Sequence, residues 1–391
     1  MRKKLNRFTW FAAFGAFVLA GHSAKAMNGP QGMSIDGGPL GSLNLSGGVD
    51  GYGYLVNNVP KGPLNGFNVG NALVQLQKTS GILQFTIEVG SNGGAIPVGT
   101  GKPPQTSINQ FSTGPLFAGY VTIAPPDMPF TISAGQMSSL EGYEAGIDWY
   151  NASQFTTDIW AVENSQNTAV EFAYNHGPAS ATISFGDGYN TGVFNFLQAL
   201  VTYTFNSSNV LSVYYGGNLG RTGLNAKTYG NVCGYGKASC NATVGTYGPY
   251  FANSQMFGAY YSYTTGNLNI VPEVQYVYAK EDHQLGLNQF SSNLGLALFG
   301  DYSFANTPYS IGGWVEYEDS IGPDAWFVGP KSEGVGLAVS PTWQYKDVFA
   351  RANAGYFYLL HNSFGGVKYG YGSSGTARGQ FVGTLEAGVL F

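Results

Sequence analysis

The second half of the chain alternates between apolar and polar residues in short runs separated by Gly, Asn, Asp and Ser. In 199–205, Ala199, Val201, Tyr203 and Phe205 fall on one side of an extended chain, with Thr202 and Thr204 on the other. The polar turn Asn206-Ser207-Ser208-Asn209 follows, and then Leu211, Val213 and Tyr215 oppose Ser212 and Tyr214. A period of two broken by turn residues predicts a β-hairpin. The same unit recurs. Phe257, Ala259, Tyr261 and Tyr263 lead through Thr265-Gly266-Asn267 to Leu268, Ile270, Val274, Tyr276 and Tyr278, opposed by Asn269, Glu273 and Gln275. Leu294, Leu296, Leu298, Tyr302 and Phe304 lead to Tyr309, Ile311, Val315 and Tyr317, opposed by Ser310, Glu316 and Glu318. Val335, Leu337, Val339, Trp343 and Tyr345 turn at Lys346-Asp347 into Val348, Ala350, Ala352, Ala354, Tyr356 and Tyr358, opposed by Arg351 and Asn353.

The first half is noisier, and its pattern predicts strands near 43–55, 71–78, 82–90, 114–124, 129–136, 168–176 and 179–186. Short links and long Gly/Asn/Ser/Asp-rich segments take turns between strands, as the periplasmic turns and outer loops of a bacterial outer-membrane barrel do. The expectation is an all-β protein: a transmembrane antiparallel up-and-down β-barrel of about 16 strands, with both ends on the periplasmic side.

Composition supports a membrane setting. Charged residues make up 10% of the chain, against about 25% in typical globular domains. Beyond the N-terminus, no run approaches the ~20 apolar residues of a membrane helix, and a bilayer otherwise admits only closed barrels. Arg2, Lys3, Lys4 and Arg7, the apolar run Phe8 to Ala20 and the small-residue site Ala24-Lys25-Ala26 have the layout of a secretory signal peptide, 1–26. That leaves 27–391 as a single barrel domain. Without the five basic residues of the signal, 12 basic side chains face 22 acidic ones, a net charge of −10. That sign disfavours nucleic acid and favours a cation-attracting lumen.

A soluble sandwich would alternate too, but three features weigh against one. Gln84, Glu88, Glu171, Glu273, Gln275, Glu316, Arg351 and Glu386 share the polar face, which fits a wet lumen. Aromatic residues cluster at both ends of the apolar face, as interfacial girdles do. The segment 380–391 puts Phe381, Leu385, Ala387, Val389 and Phe391 on the lipid side and Gln380, Thr384 and Glu386 on the other. Ala387, Val389 and the terminal Phe391 resemble the signal read by the barrel assembly machinery, so that machinery and outer-membrane lipid are expected partners.

The segment 137–167 is the third long loop. It carries Glu141, Glu144, Asp148, Asp158 and Glu163 among Trp149, Tyr150 and Trp160, with no basic residue. Folded into the lumen, these acids, with Glu273, Glu316, Arg351 and Glu386 of the wall, would line a constriction that attracts cations. An ordinary solvated surface loop is the open alternative. Cys233 and Cys240 lie close together in a chain bound for an oxidising compartment, where a loop disulfide is expected.

Gly135-Gln136 at a strand end, Glu141-Gly142-Tyr143-Glu144 shortly after, and the later Gly186-Asp187-Gly188-Tyr189-Asn190 resemble the OmpL-like β-barrel porin family, with specificity over about 130–220. The resemblance implies a porin for small hydrophilic solutes or ions, and porins are often homo-trimers. It supplies no substrate, and the segment near 233–240 departs from it. No catalytic residue, metal or cofactor is expected. His176, His283 and His361 sit in separate segments, with Glu281-Asp282-His283 as the nearest acid–base cluster, so a surface hydrolase ranks below a closed structural or adhesive barrel.

Overall fold

In a computed structural model of the protein, residues 27–59, 64–99, 116–164, 166–189, 191–222 and 249–391 are described. The signal segment 1–26 and the pair Cys233 and Cys240 lie outside the described residues.

The barrel strands in chain order are β1 (Ser42–Val56), β2 (Asn65–Lys78), β3 (Leu83–Asn92), β4 (Leu116–Ile123), β5 (Phe130–Ser138), β6 (Gln166–His176), β7 (Ala179–Gly188) and β8 (Phe194–Asn206). They continue as β9 (Asn209–Asn218), β10 (Gln255–Thr265), β11 (Leu268–Ala279), β12 (Ser291–Ser303), β13 (Tyr309–Ile321), β14 (Glu333–Tyr345), β15 (Val348–His361) and β16 (Gly379–Leu390). Each pairs antiparallel with its neighbour, and β16 pairs with β1, so the sheet closes with 16 strands and no free edge. At the seam the backbone of Phe391 exchanges two hydrogen bonds with Gly47, each 2.9 Å. A further short strand, Met33–Asp36, pairs with the start of β1.

The turns follow their local chemistry. Gly266 opens the two-residue link from β10 to β11 with φ +56°, a left-handed conformation that a hairpin turn of matching twist requires. The predicted strands of the first half are present but differ in length. β2 starts at Asn65 rather than near 71, because Phe67 and Val69 point out to lipid from an Asn/Gly-rich stretch that reads as loop.

Outward positions form an apolar belt that includes Val201, Val213, Val274, Leu296, Val315, Leu337 and Leu385. Ring pairs at the turn ends, Tyr203–Phe205 with centroids 4.9 Å apart and Tyr302–Phe304 at 5.2 Å, mark one interface. Tyr215–Phe257 at 5.0 Å lies toward the long loops. A charge in this belt has no water to meet. Leu385→Arg should therefore cost about 2–4 kcal/mol if it lies near the bilayer midplane, measured by urea unfolding in lipid vesicles.

The inward face carries apolar as well as polar residues. Val271, Phe299, Trp314, Phe349, Phe357, Leu359 and Val382 alternate with the polar wall residues and are buried. All but Phe349 pack against loop residues that fold into the barrel: Ile96 and Val98, Phe155, Ile159 and Val162, Leu285 and Leu287, Trp326 and Phe327, and Tyr371. Met27 also tucks in, beside Trp149, Phe349 and Leu390.

Candidate functional site

The connection from β5 to β6 is the third long loop, and it lies inside the barrel. Its sequence mixes acids with Ile147, Trp149, Phe155, Ile159 and Val162, all buried, so it requires partners that a surface loop would not have. Two local devices shape it. The side-chain amide of Asn151 bonds both the N–H and the carbonyl of Ala145 at 2.8 Å, closing a turn around a short 3-10 segment, Asp148–Tyr150. Thr157 caps the single helical turn Asp158–Ala161, its hydroxyl accepting from the Trp160 N–H. The second loop supports the third through a parallel pairing of Ile96–Pro97 with Phe155–Thr156.

Three groups of contacts fix the loop across the lumen. Near the seam, Arg351 pairs with Asp148 of the loop and with Glu386, its register partner on β16, the latter at 2.8 Å. Trp149 Nε1 donates to Asp50 Oδ2 of β1 at 2.6 Å, and the Asn71 backbone N–H of β2 donates to the same oxygen at 3.1 Å. Asp50, Asp148 and Glu386 each bring a carboxylate oxygen within 4.8 Å of the others. Such a set could accept a cation, and the Arg351 guanidinium supplies one. Buried ion pairs need their remaining hydrogen-bonding capacity met; here Asp50 Oδ1 and Glu386 Oε1 are left without a partner, so the cluster depends on Arg351.

In the middle, Ser340 Oγ donates to Ser153 Oγ at 2.7 Å, Asn353 bonds Gln154, and Trp314 Nε1 donates to the Phe155 carbonyl at 2.7 Å. On the opposite flank, the Asp158 N–H donates to Glu316 Oε2 at 2.8 Å, and Gln275 Nε2 donates to Glu163 Oε1 at 3.1 Å. Gln198 Nε2 and the Asn164 N–H donate to Glu141 at 2.8 and 2.7 Å, and Thr157 donates to Glu144. Asn269 Nδ2 donates to the Tyr143 hydroxyl at 3.2 Å. Gly216 on β9 makes room for the loop, since a Cβ there would overlap Glu141 Oε1.

The structure therefore brings Glu141, Glu144, Asp148, Asp158 and Glu163 together with Glu273, Glu316, Arg351 and Glu386 inside the lumen. It seats most of them between loop and wall, with Glu144 partly covered. Burial pushes Glu141 and Asp158 up to about 7, and burial aided by Glu273 and Asp158 pushes Glu144 up to about 8. Glu163 is raised well above the usual carboxylate range by burial and by Glu273, Glu141 and Glu144. Ala387 and Val389 are exposed on the lipid face. Asp50, Asn71, Gln198, Trp314 and Glu318 belong to the same site without having been singled out from sequence. Asp50 and Glu318 carried a signal, each an acid at an inward strand position, Glu318 on the same face as Glu316.

The histidines stay local. His283 Nε2 lies 2.7 Å from Glu281 and its Nδ1 bonds Asn288, while His361 Nε2 bonds the Ser363 carbonyl.

Residues 42–391 match the model of the family described as Putative beta-barrel porin-2, OmpL-like. No curated protein matches. Among solved structures, an anion-selective porin from Comamonas acidovorans is similar, with 13% identity, TM-score 0.58, and coverage of 89% of this chain and 99% of that one. The outer-membrane channel DcaP of Acinetobacter baumannii gives 10% identity, TM-score 0.57, and coverage of 89% and 97%. OmpT of Vibrio cholerae gives 10% identity, TM-score 0.56, and coverage of 90% and 98%. At such identity the likeness carries the fold and nothing about selectivity.

Proposed function

The chain belongs to the OmpL-like β-barrel porin family of the outer membrane, and from that premise we propose that it is a passive channel for small hydrophilic solutes with a mild cation preference, set by its third loop. The observation that supports this reading is the acidic loop crossing the lumen, its flanks on acidic wall strands and its middle on Arg351. Beside Asp50, Glu88, Glu273, Glu316, Glu318 and Glu386, Arg351 is the buried basic side chain among the described residues. Local potential in a low-dielectric lumen follows that excess of acid.

Raised carboxyl affinities for protons keep the preference mild, since part of the acid is neutral near pH 7. The reversal potential of single channels in a planar bilayer under a salt gradient tests the reading. A modest shift toward cations that grows between pH 6 and pH 9 is expected. Anion selectivity would refute it. A homo-trimer is part of the proposal, read by native mass spectrometry in detergent.

The packed interior favours a second reading, a closed barrel serving adhesion or structure. Vesicles containing the protein should swell in small sugars if it is a porin and should not if it is closed.

A further inference from the structure

The contacts that hold the third loop differ in charge along its length. At residues 148–154 the loop meets Arg351, the Ser340 hydroxyl and the Asn353 amide. Its flanks meet amides and acids: Gln198 and Gln275 donate to Glu141 and Glu163, and the other wall carboxylates there carry no base between them. Glu163 lies against Glu273, with Glu141 and Glu144 nearby. Asp158 donates its backbone N–H to Glu316 and neighbours Glu318 as well. Among the described residues, other titratable groups near these flanks are Tyr214 of β9, Tyr260 of β10, Asp301 of β12 and Tyr371 of the last loop, none of them basic. No ion pair among the described residues involves Glu141, Glu144, Asp158 or Glu163. Glu316 Oε1, Glu318 Oε1 and Gln275 Oε1 are buried without a hydrogen-bond partner.

Acids facing acids across a dry interface are stable while they share protons and repel once they lose them. We propose that the third loop is a pH-operated gate, whose acidic flanks leave the wall when they ionise while the Asp148–Arg351 clamp holds its middle in place as a pivot. The consequence for permeation rests on the porin reading, whereas the loop movement does not.

The direction follows from proton binding. Docked, Glu141 and Asp158 titrate at about 7 and Glu144 at about 8; a released loop returns them toward 4.5 for Glu and 3.8 for Asp. Below those solvated values both forms are protonated and docking is independent of pH. Between them and the docked values, about 7 for Glu141 and Asp158 and about 8 for Glu144, only the released form is ionised, and each group weakens docking roughly tenfold per pH unit. Above the docked values the loss levels off. Docking is thus strongest in acid and weakest in alkali, the opposite of what a loop held by carboxylate–base pairs would do.

The test uses the full barrel in lipid with spin labels at Ala161→Cys in the loop and Ser207→Cys in a periplasmic turn, Cys233 and Cys240 being replaced by serine. Electron–electron distances are read at pH 5, 7 and 9. One narrow distance at pH 5 that broadens and shifts by pH 9 is expected, together with single-channel conductance that rises several-fold over the same range. The triple variant E144Q/E163Q/E273Q, which keeps Asp158, Glu316 and Glu318 ionisable, should move less than the wild type at pH 9. An unchanged distance in the wild-type loop from pH 5 to pH 9 overturns the gate, whether or not any variant folds. A triple variant that moves as far as the wild type also overturns it. Movement of the loop with conductance unchanged would uphold the pH-dependent undocking and overturn its role as a gate, whereas no conductance at any pH would refute the porin reading.

Discussion

Arg351→Met should loosen the third loop and lower stability by about 3–5 kcal/mol, the usual cost of removing one member of a buried ion-pair network. Arg351 is fully enclosed, and its guanidinium faces Asp148 and Glu386, with Asp50 joined to Asp148 through the Asn71 amide, which donates to both. Methionine fills much of the same volume, so the loss is electrostatic: three buried carboxylates remain with no positive charge among them. The wall loses the Arg351–Glu386 pair and the loop loses its clamp. Urea unfolding in vesicles should report the former, and larger, noisier single-channel currents the latter. Adding Asp148→Asn should recover part of the stability, because it removes one of the stranded charges. No recovery in the double variant would mean that Arg351 acts through the wall alone.

Phe155→Ala should release the loop while leaving the barrel closed. The ring is wholly buried in the lumen core with Ile96, Val98, Phe357 and Trp314, and its backbone carbonyl accepts from the Trp314 indole. Deleting a buried phenylalanine ring costs about 3–5 kcal/mol through lost transfer energy and the remaining cavity. Here that loss falls on loop docking, because residue 155 belongs to no barrel strand. Conductance should rise several-fold, while the folded barrel keeps its heat-dependent mobility on SDS gels. A variant that loses that mobility shift would show that the lumen core supports the wall as well as the loop.

Both effects depend on partners far apart in the chain, which explains what was legible beforehand. Wherever one strand face meets lipid, period 2 is enforced along its full length, and so 199–205, 268–278 and 294–304 are read correctly from Val, Tyr and Leu alone. The same alternation put Glu273, Glu316, Arg351 and Glu386 on the inward face. Where Asn and Gly replace larger residues, as over Asn65–Gly70, the pattern thins and β2 appears too short. The apolar packing of the inward face is not legible in the sequence, because parity says which way a side chain points and not what it meets. Val271, Phe357 and Leu359 point inward and look anomalous until loop residues such as Phe155 and Leu287 are seen to cover them. Likewise the acids of the third loop were visible as a charge run, but Asp148 finds Arg351 across 203 positions, a separation that no local pattern reports.

That seating changes the meaning of the acids. On an open pore they would be ionised and would select cations directly. Sealed between loop and wall, they couple loop position to protonation, and selectivity depends on how far the flanks have moved.

The central claim is that the third loop lies across the lumen on the inner wall. A disulfide between Ser153→Cys on the loop and Ser340→Cys on β14, in a chain whose Cys233 and Cys240 are serine, tests it most directly, since the two hydroxyl oxygens are 2.7 Å apart. Mild oxidation of the folded barrel in outer-membrane fragments at pH 6 should join the pair nearly completely, as read by peptide mass mapping. Two free thiols in a barrel that is demonstrably folded would contradict the account.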